Sequence, residues 1–171
     1  MKRTMLGTLT LAIVAIAIAL TGSQTTVAGQ DQAPDRSLTG VWLVKITPRI
    51  CATGEPITAA AFEALYTFHD DKTMLVSLRN TILTVDRSAA HGLWQRDLGW
   101  STYSLKFMHI RSTAATGAFA AWQEGSATLV LAESGDEFTT DGTTRSFDVN
   151  GDLIPPGSCA NSVGTRLKLE P

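Results

Sequence analysis

What is missing from the chain narrows its chemistry first. It has no Gly-x-Ser-x-Gly elbow, no His-Glu-x-x-His helix and no phosphate-cradling glycine loop, so the common hydrolase, metalloprotease and nucleotide signatures are absent. A Ser-His-Asp triad stays open, because its members need not be near in sequence. The three histidines, His69, His91 and His109, never fall at His-x-His or His-x-x-x-His spacing. His69 beside Asp70-Asp71 and His91 before Gly92 therefore read as solvated turn residues; no metal site is expected and no cofactor is called for. A formal net charge of −2 offers no electrostatic footprint for nucleic acid or anionic lipid. Apart from Thr58–Ala64, which has the propensity for one or two helical turns, no segment reads as an amphipathic helix.

What is present begins with a targeting signal. Lys2 and Arg3 precede an apolar run from Met5 to Leu20, and Thr26-Val27-Ala28 supplies small residues ahead of Gly29. Residues 1–28 therefore read as a signal peptide, 29–37 as a polar flexible leader, and 38–171 as the folded β-barrel domain. Cleavage removes two cations and no acid, leaving 12 basic against 16 acidic residues, a net charge of −4. No membrane span remains afterwards, so a soluble protein exported to the periplasm or the extracellular space is expected. Oxidation there would join the two cysteines, Cys51 and Cys159, in the one disulfide they can form.

The domain alternates short strand-like runs with turn signals. Candidate strands are Gly40–Thr47, Ala64–Phe68, Thr73–Leu78, Gly92–Arg96, Thr102–Ile110, Ala118–Gln123, Ala127–Ala132, Glu137–Thr140, Thr143–Val149 and Val163–Leu169. Glu124-Gly125, Ser134-Gly135-Asp136, Asp141-Gly142 and Asn150-Gly151 read as the turns of the last third, since glycine accepts positive φ at little cost. The fold class expected is all-β: a single antiparallel closed β-barrel of about eight to ten strands after a cleaved N-terminal signal helix, closure being the surer way to remove exposed edges. If Thr47 of the first strand faces Val163 of the last, Cys51 falls opposite Cys159 in the same register. Trp42, Val44 and Ile46 then share a face with Gly164, Arg166 and Lys168, and Val41 and Leu43 lie opposite Leu169 and Leu167.

Gly40-Val41-Trp42 on the first strand and Arg166 on the last resemble the lipocalin and wider calycin pattern, in which a Gly-x-Trp has its indole covered by an arginine from near the barrel's end. The resemblance implies a calycin-like barrel in which Gly40, Trp42 and Arg166 are structural. A second Gly-x-Trp stands at Gly92-Leu93-Trp94. No Thr-Asp-Tyr triplet lies in mid-chain, and the strand count also leaves room for allene-oxide-cyclase-like barrels.

Alternation along Thr102–His109 places Tyr103, Leu105, Phe107 and His109 on one face, the more apolar one, and so points them inward. Tyr103, Phe107 and His109 are the candidate ligand-binding residues; no catalytic residue is identified. Trp94, Trp100, Trp122, Phe119, Phe138 and Phe147 add aromatic mass for a core or a pocket wall. The function expected is binding rather than catalysis: an exported carrier-type barrel holding a small apolar molecule, with no nucleic-acid partner. The alternatives are a cyclase or isomerase of allene-oxide-cyclase-like type, and a filled barrel acting through its surface as an inhibitor or interaction protein. A barrel of this size can be filled or hollow, and that distinction separates the readings.

Overall fold

The computed structural model describes residues 36–78 and 84–169. The signal peptide read at 1–28 and most of the 29–37 leader lie outside the described residues. Among the described residues nine strands run in order: β1 (Gly40–Arg49), β2 (Phe62–Phe68), β3 (Thr73–Leu78), β4 (Val85–Arg87), β5 (Ala90–Arg96), β6 (Thr102–Thr113), β7 (Phe119–Leu131), β8 (Glu137–Phe147) and β9 (Leu153–Arg166). All pairings are antiparallel, β6 meets β7 and β9 returns to β1, so eight strands close a barrel and β4 is added on the far part of β6.

The period-two pattern decides which side chains fill the barrel. On β1 the buried Trp42, Val44 and Ile46 alternate with exposed Val41, Leu43 and Lys45. On β2 the same rule overrides helical propensity: only Thr58–Ala60 makes a single 3-10 turn, while Phe62 and Ala64 already belong to the strand that the expected helix would have interrupted. Propensity is a weak prior beside the burial of an alternating face.

The β1–β9 register places Trp42 opposite Arg166 and Thr47 opposite Asn161, two residues away from the pairing of Thr47 with Val163. A shift of two keeps every side chain on its face. Cys159 accordingly stands opposite Arg49, and Cys51, just past the end of β1, reaches it with a Cα separation of 5.3 Å to close the disulfide.

Two of the expected turns are not turns. Gly125 and Gly142 lie inside β7 and β8, so the four runs expected between Ala118 and Val149 are two long strands. Both glycines lie where a neighbouring strand approaches closely. A Cβ on Gly125 would sit 2.3 Å from Cζ of Phe107, its cross-strand neighbour, and one on Gly142 would come within 3.0 Å of the Ala127 Cβ. Ser134-Gly135 and Asn150-Gly151 do form the hairpin turns expected of them.

The fourth strand was not expected, and it carries a register break. Arg87 of β4 lies opposite Arg111 of β6, whereas His91 of β5 lies opposite Met108, so the β4–β5 side contains one extra residue. Ser88 accommodates it: its N–H donates to the Ile110 carbonyl at 3.0 Å, and its Oγ accepts the Ile110 N–H at 3.0 Å. A bulge of this kind reverses the inward parity of the strand. On β5 the buried positions are Ala90 and Trp94; on β4 the half-buried positions are Val85 and Arg87.

Candidate functional site

The barrel is packed at one end and hollow at the other. At the packed end, Trp42, Phe68, Phe138, Leu129 and Leu131 are almost completely buried. The Trp42 and Phe138 rings lie 4.8 Å apart, and Phe68 meets both Phe138 and Trp94 edge-on. Arg166 closes this end. Its guanidinium sits 4.3 Å from the Trp42 ring centroid and donates to the Thr39 carbonyl at 2.6 Å, the Ser37 carbonyl at 2.5 Å and the Gly135 carbonyl at 2.9 Å. Trp42 Nε1 donates to the Leu38 carbonyl at 3.0 Å. Gly40 has φ +130° and faces Arg166 Nη1, so a larger residue there would be strained and would press on the cap.

Tyr103 belongs to this packed end. It packs on Trp94 with ring centroids 5.7 Å apart, and Arg96 donates to its hydroxyl at 3.0 Å. The other two candidate residues, Phe107 and His109, face a cavity of about 800 Å3 in the opposite half of the barrel, within the usual range for small-molecule sites. The aromatics divide similarly. Trp94 and Phe138 are core, whereas Trp100, Phe119 and Trp122 are exposed. Ile110, Trp122, Phe147 and Leu153 occupy successive rungs across β6 to β9 and form an apolar row outside the barrel.

The cavity has two kinds of wall. Ile46, Phe62, Leu78, Leu105 and Phe107, from β1, β2, β3 and β6, present hydrocarbon. Phe107 lies over Gly125, which keeps its ring against the wall and out of the lumen. Opposite stand Gln123, Thr140, Thr144, Ser158 and Ser162 from β7, β8 and β9. Their polar atoms are mutually satisfied: Thr140 and Ser162 share a hydrogen bond, Thr144 and Ser158 another at 2.5 Å, and the Gln123 amide donates to Thr144 and Ser146 at 3.3 Å each. The small inward residues Ala127, Gly142 and Ala160 leave the space between the walls open. Ala59 and Ala60 of the 3-10 turn, with Ala61 just before β2, also line the cavity.

His109 is the residue whose side chain has both of its polar atoms buried and unsatisfied among the described residues. It is 4 % exposed, and neither ring nitrogen has a hydrogen-bond partner among the described residues. Burial, reinforced by the positive charges of Arg87 and Arg111, lowers its pKa to about 4, so the ring is neutral at ordinary pH. The Gln123 amide, directly across the β6–β7 ladder, favours the charged ring but does not reach full hydrogen-bond geometry with it. Burial also pushes the Tyr66 hydroxyl well above its ordinary pKa, keeping a protonated phenol at the base of the cavity.

Arg87, Gln123 and the hydroxyl wall were not singled out from sequence. The available signal was the run of small and polar residues at inward positions of β8 and β9, too small to fill a barrel. Arg87 gave none, because it faces inward only through the bulge at Ser88. His69 and His91 are exposed, and among the described residues no three His, Cys, Asp or Glu side chains converge as a metal site would require. The closed eight-stranded antiparallel barrel is consistent with a calycin-like architecture. No protein-family model, curated protein or solved structure matches this chain.

Proposed function

We propose that this chain is an exported carrier-type barrel that binds a small, largely apolar molecule in its hollow half. The cavity of about 800 Å3, walled on one side by hydrocarbon, is the observation that carries this reading. A filled barrel acting through its surface would have no use for that space. Support for export comes from the apolar N-terminal run and from the Cys51–Cys159 disulfide, which is compatible with an oxidising compartment. The pairing of Gly40 and Trp42 with Arg166 supports a lipocalin-like kinship.

The decisive experiment is mass spectrometry of small molecules that copurify with the protein from its own host, together with titration of the neutral fluorophore N-phenylnaphthylamine. A single copurifying class of molecule, or saturable uptake of the fluorophore that Ala127→Phe abolishes, is expected. An empty protein that does not take up the fluorophore would overturn the proposal.

A second reading, a cyclase or isomerase resembling the allene-oxide-cyclase-like barrels, draws on the fact that the walls are not all hydrocarbon. A neutral His109 facing the lumen could exchange a proton with a bound substrate, and a snug cavity could hold a flexible one in a reactive shape. Incubation of the copurified molecule with fresh protein separates the two: a carrier returns it unchanged, and an enzyme returns an isomer.

A further inference from the structure

We propose that the β4–β6 side of the cavity is an anion-binding head-group site, and that the ligand is an amphipathic molecule with one carboxylate-type anionic group and an apolar body. This inference rests on the reading of the cavity as a ligand site and specifies the chemistry of what enters it.

Arg87 and Arg111 stand directly opposite each other across the β4–β6 ladder, so both side chains project from the same face. Arg87 lines the cavity, and the bulge at Ser88 is what turns it there. Neither arginine makes an ion pair among the described residues, and the Nε of each is buried without a hydrogen-bond partner. Phe62 offers the Arg87 guanidinium only a ring face, at 6.0 Å from the centroid. Burial and the neighbouring Arg111 both lower the Arg87 pKa, the direction that desolvation and a nearby like charge impose. The buried, unpartnered His109 lies two residues before Arg111 and faces the same lumen.

Two guanidinium groups side by side and out of full solvent repel each other, and their unused donors cost stability. A bound anion reverses both effects at once, because a planar carboxylate accepts paired N–H donors from arginine. A neutral imidazole can add a further donor. The rest of the molecule is set by the other wall: Leu78, Leu105 and Phe107 hydrogen-bond nothing and accept only an apolar body. A small hydrophilic anion would leave that wall wet, and an uncharged apolar ligand would leave the arginines uncompensated.

The test is calorimetric titration of the purified protein with dodecanoate, dodecanol and acetate, each below its micelle or solubility limit. Dodecanoate is expected to bind at least about tenfold more tightly than dodecanol, the difference that one charge-assisted hydrogen bond supplies, and acetate far more weakly than either. In the Arg87→Gln/Arg111→Gln variant, dodecanoate affinity is expected to fall by about tenfold or more while dodecanol is unaffected. Removing two uncompensated charges leaves the barrel at least as stable, and the comparison on the unmodified protein needs no variant. Equal affinity for acid and alcohol would overturn the head-group site while leaving the apolar cavity reading intact. Acetate binding as tightly as dodecanoate would overturn the amphipathic ligand. Failure of both long-chain probes to bind would overturn the cavity reading itself and this inference with it.

Discussion

The two ends of this barrel solve the same problem in opposite ways. Around Trp42 the inward side chains are aromatic and interlocked, and Arg166 seals them by bonding three backbone carbonyls. Around His109 the inward residues are small, hydroxylated or charged, and a cavity remains. Packing holds the first end. The second is held by its ladders and by the Cys51–Cys159 bridge between the segment after β1 and β9. Close packing is thus concentrated at one end and free volume at the other; on the proposed carrier reading, the packed half would position the receptive one.

The two ends should differ most when the disulfide is removed. For bridged residues 108 apart, the chain-entropy argument gives a loss of about 4 to 5 kcal/mol for Cys51→Ser/Cys159→Ser in urea unfolding, an upper figure. Hydrogen exchange should quicken more in β9 near Ser158 than around Trp42. Uniform quickening would deny the division of labour. Next in size, Trp42→Ala should cost about 3 to 5 kcal/mol, whereas Phe107→Ala, on a side chain that is half-buried and already faces empty space, should cost clearly less. Equal costs would mean that the hollow half is packed in solution.

His109 gives the third contrast, because its buried, uncompensated ring makes stability depend on pH. Its folded pKa of about 4 lies below the ordinary 6.5, so the unfolded chain binds the additional proton between those values. The contribution is therefore complete above pH 6.5 and lost as pH falls toward 4, about 3 kcal/mol in all. Glu124, held below its usual range by hydrogen bonds from Arg145 and Lys106, surrenders its smaller contribution only below about pH 4.5. Urea midpoints measured across this range should slope for the natural protein and flatten for His109→Leu. An unchanged slope would place the dependence elsewhere.

The smallest effects come from enlarging side chains. Val44→Phe, at a fully buried site, should cost about 1 to 3 kcal/mol by overpacking. Ala127→Leu, on the cavity wall, should change stability by less than about 1 kcal/mol while weakening ligand uptake. Comparable penalties for the two would again argue that no cavity exists.

The outline of the barrel was legible in the sequence because strand faces follow period two. Thr73–Leu78 was read with its observed bounds, and the pairing of the first strand with the last was read with the correct faces and a register two residues off. The misreadings share a cause. Gly125 and Gly142 look like turn glycines in sequence, but they sit mid-strand where Phe107 and Ala127 approach closely, and that approach is visible only once strands are side by side. Tyr103 and His109 lie on one face of one strand, yet one is core and the other lines the cavity, because alternation reports the face and not the depth along the barrel. Arg87 was invisible as a site residue since a single inserted residue at the bulge decides which way it points.

Amide chemical-shift mapping during titration with N-phenylnaphthylamine locates the bound molecule within the barrel. Perturbations are expected at Phe107, Gln123, Ala127, Thr140 and Ser162, with the Trp42 to Leu131 end unmoved. Perturbations confined to the outer row of Ile110, Trp122 and Phe147, or to the packed end, would contradict binding in the hollow half.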